Sequence, residues 1–298
     1  MTIPHISYSG SCVVADTPIF CRDISFNAES KATFYKHTIG LQESYNINNV
    51  QNKYYRYAPV LPKASMSGFL TPETAVKLIS LAQWGGIDPS NPIDEVVMSL
   101  WTTGKQRTLY NSYMQTLTID IKAGEPASFS AEFVGMSLSP SSGSVTPIPA
   151  QQKLMTWDIF RISVNNTFFN DASVEINNNH TNPTTSVFDA ISSFSFTVNN
   201  PVIPIYTSSV DDSSDPSISV TPNYLRIGMQ ETTGSITVYS PNSFLQGNGN
   251  ITLTFPYGGV NFNVAFEPPS SKVSASSVFT STTNFNCFSD SGRPWYPL

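Results

Sequence analysis

The stretch QTLTIDIKAGEPASFSAEFV, residues 115–134, decides the fold class. Leu117, Ile119 and Ile121 alternate with Thr118, Asp120 and Lys122. That two-residue period puts apolar side chains on one face of a strand and polar ones on the other. Residues 123–126 carry the Gly and Pro of a turn, and Ala127, Phe129, Ala131 and Phe133 then resume the apolar row against Ser128, Ser130 and Glu132. The reading is an antiparallel hairpin with one wet face.

The same pattern returns further along. Phe194, Phe196 and Val198 alternate with Ser195 and Thr197, and Gly234 precedes Ile236 and Val238. Ile251, Leu253 and Phe255 lead through a turn at 256–259 into Val260, Phe262, Val264 and Phe266, whose outward row of Asn261, Asn263 and Ala265 is uncharged. One helix interrupts the strands. Thr71 is its N-cap, Pro72 its first residue, and Glu73 lies near the positive end. Ala75, Leu78, Ile79 and Ala82 recur at helical spacing, Val76 and Leu81 widen the stripe, and Gly85 and Gly86 stop it.

Repeated hairpins favour antiparallel sheets over βαβ units, so the expected fold is all-β, an antiparallel β-sandwich or partly closed barrel with one flanking α-helix. The expected organisation is an N-terminal extension or arm over 1–60, a β domain over 61–267, and a C-terminal arm over 268–298. Residues 136–150 are rich in turn and breaker types, which predicts a long loop near 136–153. Residues 211–216, DDSSDP, read as an exposed excursion.

Composition narrows the function classes. The 298 residues are 40% hydrophobic but only 12% charged, about half of the roughly 25% typical of globular chains. Polarity comes from Ser, Thr and Asn. Fifteen Lys and Arg against twenty-one Asp and Glu give a net charge of -6, which supplies no electrostatic footprint for wrapping a phosphate backbone. An acidic lining is instead compatible with nucleic acid sliding past without sticking. Cys12, Cys21 and Cys287 are too few for a disulfide framework and suit a reducing compartment. The first residues lack the pattern of a secretory signal, and no apolar run approaches the roughly 20 residues of a membrane-spanning helix.

Motifs that carry chemistry are sparse. Gly234 and the Gly247-Asn248-Gly249 run read as turns rather than phosphate cradles. His5, His37 and His180 are far apart with no metal-ligand spacing. Asp211, Asp212 and Asp215 offer oxygen ligands but depart from the calcium-loop pattern. Asp120 and Glu132 on facing strands raise the idea of a glycosidase dyad, against the plainer reading of a solvated acidic face. Lys31, Lys36, Lys53 and Arg56, interleaved with Tyr35, Tyr45, Tyr54, Tyr55 and Tyr57, raise nucleic-acid stacking against the plainer reading of a tyrosine-rich interface or arm. Trp84 and Trp157 read as core or contact aromatics, and Trp295 and Tyr296 as residues of a docking terminus. Asn165, Asn179 and Asn250 match the glycosylation pattern without a signal to support its use.

The ordered series SGFLTPETAVKLISLAQWG (67–85), YMQTLTIDIKAGEPASFSAEFVG (113–135), LMTWDIFRISVNN (154–166), ISSFSFTVNN (191–200), TTGSITVY (232–239) and ITLTFPYGGVNFNVAFE (251–267) resembles the tail tube proteins of long-tailed bacteriophages. The resemblance implies a structural virion protein and no enzyme, without cofactor or metal. On that resemblance six copies would form a ring, and stacked rings would make the conduit for DNA delivery. It implies as partners further copies of the chain, the tape measure protein, tail tip or baseplate proteins, a sheath where the tail contracts, and DNA in transit. The resemblance also implies a place in the phage tail of the virion, with assembly in the host cytoplasm. It further implies that the polar row of Thr118, Asp120, Ser128, Ser130 and Glu132 faces the lumen, and that Trp295 and Tyr296 make inter-subunit arm contacts. A tail hub or terminator shares the fold. The alternatives of another class are a carbohydrate-binding or adhesion β-sandwich, with Tyr54, Tyr55 and Tyr57 as its platform, and a β-rich hydrolase.

Overall fold

The computed structural model describes residues 10–30, 33–37, 53–57, 60–84, 93–100, 105–141, 153–164, 167–168, 191–206, 221–238, 247–272, 280–288 and 295–297. In chain order the strands are β1 (Gly10–Val14), β2 (Thr17–Phe20), β3 (Asp23–Ser30), β4 (Thr33–His37), β5 (Lys53–Tyr57) and β6 (Val60–Phe69), followed by helix α1 (Pro72–Trp84). Then come β7 (Ile93–Leu100), β8 (Lys105–Lys122), β9 (Ser128–Val134), β10 (Ser137–Ser141), β11 (Arg161–Val164), β12 (Thr167–Phe168), β13 (Ile191–Asn199), β14 (Val202–Ile205), β15 (Tyr224–Ile227) and β16 (Glu231–Val238). The last five are β17 (Gly247–Phe255), β18 (Gly258–Phe266), β19 (Ser270–Lys272), β20 (Thr280–Cys287) and β21 (Trp295–Pro297). The fold is all-β with one flanking helix, as the periodicities imply.

The central feature is an antiparallel sheet in the order β3-β6-β9-β8-β13-β16-β20. At β20 it folds over, because β20 also pairs with β18, β18 with β17, and β17 with β11. The folded-over wing lies across the seven strands, with the Phe262 ring 5.1 Å from Phe196 and 6.4 Å from Phe194. This is a sandwich closed along one edge. The 18-residue β8 belongs to two sheets: its second half pairs with β9 and β13, its first half with β7 and β10. The changeover falls at Asn111, whose φ of 47° bends the strand in a conformation that Asn tolerates better than most residues.

The core is the inner row of each hairpin. Leu117, Ile119, Ile121, Phe129, Ala131, Phe133, Phe194, Phe196, Val198, Ile251, Leu253, Val260, Phe262 and Val264 are all buried in one cluster. Each large side chain contributes about 1.5–3 kcal/mol by leaving water. Helix α1 covers this core with Ala75, Leu78, Ile79 and Ala82. Val76 is exposed and Leu81 half-buried, so the stripe is narrower than expected; successive helical residues are 100° apart, which carries Val76 out of the contact. Thr71 caps the helix: its Oγ1 accepts from the Thr74 N–H at 3.2 Å. At the other end the Ala82 carbonyl accepts from Asn200 Nδ2 at 3.0 Å and Gln230 Nε2 at 2.8 Å.

Three expectations are corrected. Gly234 is a mid-strand residue of β16, not a turn: it lies opposite Phe285, whose ring fills the place of a side chain. The run from Gly247 to Gly249 opens β17 and pairs with Phe266, Ala265 and Val264. Of the breaker-rich stretch after 135, Ser137–Ser141 is β10, held to β8; residues 142–152 lie outside the described residues, as do 211–216, Gly85 and Gly86. Strands from both expected arms join the large sheet, β3 through β6, and β20 through β16 and β18.

Candidate functional site: a registered polar face

The seven-strand sheet has a second face. Asp23, Ser67, Ser130, Thr118, Thr197, Thr233 and Asn286 stand side by side in one row across all seven strands. On one side of it runs the row Phe69, Ser128, Asp120, Ser195, Ser235 and Asn284. On the other side runs Ser25, Ser65, Glu132, Thr116, Asn199 and Glu231. No Lys or Arg stands in any of the three. Cations flank them: the Arg22 guanidinium lies 5.2 Å from the Phe69 ring at the edge of the second row, Lys122 stands at one end of the face, and Lys63 stands at the other and reaches Glu132.

The face is partly self-satisfied. Hydroxyls hydrogen-bond across strands between Ser25 and Ser65 at 2.6 Å, Thr118 and Thr197 at 3.0 Å, and Thr237 and Thr282 at 3.0 Å. Such pairs hold the rows in register and leave fewer donors for a passing ligand. Glu267 accepts from Asn284 at 3.2 Å and Asn286 at 3.0 Å. Glu132 is not a bare charge, since Lys63 Nζ lies 3.0 Å from its Oε1.

Thr118, Asp120, Ser128, Ser130 and Glu132 thus share one face, with Thr118 opposite Ser130 and Asp120 opposite Ser128. Asp120 and Glu132 do not face each other. Glu132 lies opposite Thr116, four residues along β8 from Asp120, which is no arrangement for a carboxylate dyad around one bond. Sequence reasoning missed the contribution of β3 and β6, although Asp23, Ser25 and Asn27 alternate with Ile24 and Phe26, and Lys63, Ser65 and Ser67 with Ala64 and Met66.

At one end the same face turns apolar. Tyr113, Val134, Val202 and Leu225 form a second buried cluster, joined by Leu61, Met136 and Ile227. Val134 and Tyr113 are cross-strand partners pointing away from the main core, which Phe133 and Met114 join instead. The roof of this cluster is the β14–β15 ribbon.

The remaining candidates are placed as follows. Among the described residues no group of His, Cys, Asp or Glu is arranged to hold a metal. No helix there is long and apolar enough to cross a membrane, which leaves strand-built membrane barrels unaddressed. Cys12 and Cys21 are buried free thiols in contact; the hydrogen bond between them and their burial push the Cys12 thiol well up. Burial pushes Cys287 up to about 12. In the tyrosine-rich stretch, β4 and β5 pair Tyr35 with Tyr55 and Lys36 with Tyr54; Lys31 and Tyr45 lie outside the described residues, with His5 and His180. β21 pairs with β18 of its own chain, Trp295 opposite Phe262 and Tyr296 opposite Asn261.

A sheet carrying one large core and one hydroxyl-rich face with its few cations at the margins suits a surface along which something moves, rather than a site that grips. The family model described as phage tail tube protein matches residues 40–287. The chain belongs to the phage tail tube family. It is accordingly a structural protein of a viral tail that works in assembly with other tail components. No curated protein matches the sequence.

Proposed function

We propose that this tail tube protein forms hexameric rings that stack into the conduit for DNA delivery, with the three polar rows lining the lumen. The observation that carries the reading is the registration of neutral hydroxyls and amides across seven strands, with Asp23, Asp120 and Glu231 among them. Counterion release rewards each Lys or Arg that meets a phosphate, so a lining that keeps them at its margins gives DNA little foothold. Nothing in this role calls for a catalytic group or cofactor. The tape measure protein occupies the lumen before the DNA, and tail tip or baseplate proteins start the stack.

Ring closure needs sheet edges. β20 is taken up by β18 and β19, whereas the outer edge of β3 is unpaired among the described residues. A neighbouring copy pairing there would satisfy its N–H and C=O groups and remove an aggregation hazard.

Electron microscopy of the purified chain, with tail-tip components as initiator, is the direct assay: six-fold rings and open tubes are expected, and isolated subunits would overturn the reading. The lining is tested by Asp120→Lys with Glu231→Lys, chosen because Glu132 is already engaged by Lys63. Particles bearing both are expected to assemble and to release DNA more slowly. Unchanged release kinetics would remove these rows from the lumen.

A further inference from the structure

Cys12 and Cys21 are buried nucleophilic groups that a tube has no use for. Cys12 stands in β1 directly opposite Ile19 of β2, and Cys21 comes two residues after Ile19, so all three side chains fall on one face of the β1–β2 hairpin. That face is turned into the main core. Diagonal neighbours on one face of a hairpin are within reach of each other, and the two thiols are hydrogen-bonded, with Cys21 also donating to the Ile19 carbonyl at 3.7 Å.

The pair occupies a junction. Cys12 belongs to the small sheet that β1 forms with β2 and β7, whereas Cys21 is the elbow where the chain leaves β2 for the seven-strand sheet. The next residue, Arg22, already donates its backbone N–H to the Ser67 carbonyl at 2.8 Å. At the closed end of the hairpin Ala15 and Asp16 hold φ of 44° and 65°, the signs of a tight primed turn. Asp tolerates that region, but alanine adopts it at a cost. The turn is therefore strained, and the thiols sit at the hairpin's open end. Cys287 is no rival partner, since it stands on β20, at the opposite edge of the seven-strand sheet from β3.

We propose that Cys12 and Cys21 are an oxidative modification site, which a peroxide closes into a disulfide fastening β1 to the elbow between β2 and β3. Cys21 reacts first, because it retains 6% exposure where Cys12 has 0%, and a peroxide is small enough to use that opening. Its sulfur attacks one peroxide oxygen, the O–O bond breaks, and the thiol proton leaves with the departing hydroxyl as water, giving a sulfenic acid. Cys12 then attacks the sulfenic sulfur; the S–S bond forms, and the hydroxyl leaves with the Cys12 proton as a second water. Two thiols and one hydrogen peroxide give one disulfide and two waters. Burial and the contact with Cys21 hold the Cys12 thiol well up, which makes closure slow, and the same burial shields the finished bond from reducing thiols. The pair stays open in a reducing compartment and closes after the protein leaves it. Closure needs no second copy of the chain, so it is independent of the tube.

The test treats the folded full chain with hydrogen peroxide, denatures it, alkylates the remaining thiols and digests it with trypsin, which releases residues 1–22 with both cysteines. In mass spectra that fragment is expected to be unalkylated and lighter by two hydrogens. The melting temperature of the treated, undigested chain is expected to rise by about 3–8 °C, the effect of closing a short loop in a chain of this size. Cys287→Ser should keep the whole rise. Cys12→Ser and Cys21→Ser should lose it, each measured against its own untreated sample so that any loss of packing cancels. A fragment with both thiols still alkylated, a sulfinic or sulfonic acid on Cys21 in place of the link, or a bond to Cys287 would each overturn the site. A closed link that leaves the melting temperature unchanged would overturn its role as a fastening.

Discussion

The two faces of the seven-strand sheet are made by the same strands and differ by a single step along each. On one, Phe129, Phe194, Phe196 and Phe285 sit in close-packed contact; on the other, one residue away, Ser130, Ser195, Thr197 and Asn286 stand in rows. The backbone ladder serves both, so what separates them is the chemistry of side chains alone. Stability is concentrated on the first face, which leaves the second free to be selected for what it touches.

That division is open to measurement. Phe262→Ala removes a fully buried ring that meets Phe194, Phe196 and Phe285, and is expected to cost about 3–5 kcal/mol in urea unfolding. Thr197→Ala, on the other face of β13, loses only its hydroxyl contact with Thr118 and is expected to cost about 1 kcal/mol at most. Comparable losses from the two would break the comparison, since they would make the polar face part of what holds the fold together.

Gly234→Ala sharpens it from the inside. A methyl there would lie 2.5 Å from the Ser195 carbonyl oxygen and against the Phe285 ring, so a loss of about 1–3 kcal/mol is expected from one added carbon. Combining it with Phe285→Leu, which vacates the ring's edge, should recover part of that loss. If the double variant is as unstable as the sum of the two, the glycine answers to the backbone and not to the ring.

Much of this architecture is written in the sequence as a period of two. The 115–134 hairpin, β13 and the β17–β18 pair are legible because large apolar residues alternate without interruption, and burial then leaves only one register. Gly234 misleads because glycine marks both turns and crowded strand positions, and only the partner strand distinguishes the cases; Gly247, at a φ of 73° with open space around it, keeps a turn-like backbone while opening β17. β10 was hidden by Pro140 and serines, residue types that a strand with a free edge accepts. Asp120 and Glu132 were placed correctly on one face, but their separation depended on cross-strand register, which no single strand contains. The second apolar cluster was least legible of all. Tyr113, Val134, Val202 and Leu225 come from four strands and look like ordinary strand residues until the ribbon closes over them.

The smallest expected effect concerns the ion pair between Lys63 and Glu132 on the polar face. Lys63 and Glu132 both retain solvent contact, so their attraction is screened and is offset by the entropy of holding two long side chains. Lys63→Ala is expected to lower stability by less than about 1 kcal/mol at low salt, with the difference from wild type shrinking as sodium chloride is raised. A larger loss that persists in salt would mean that the lysine stem packs on Leu61 and Val134 and belongs to the second cluster. The polar face would then be anchored by apolar contact at its Lys63 end, and the boundary between its two kinds of surface would move one strand position inward.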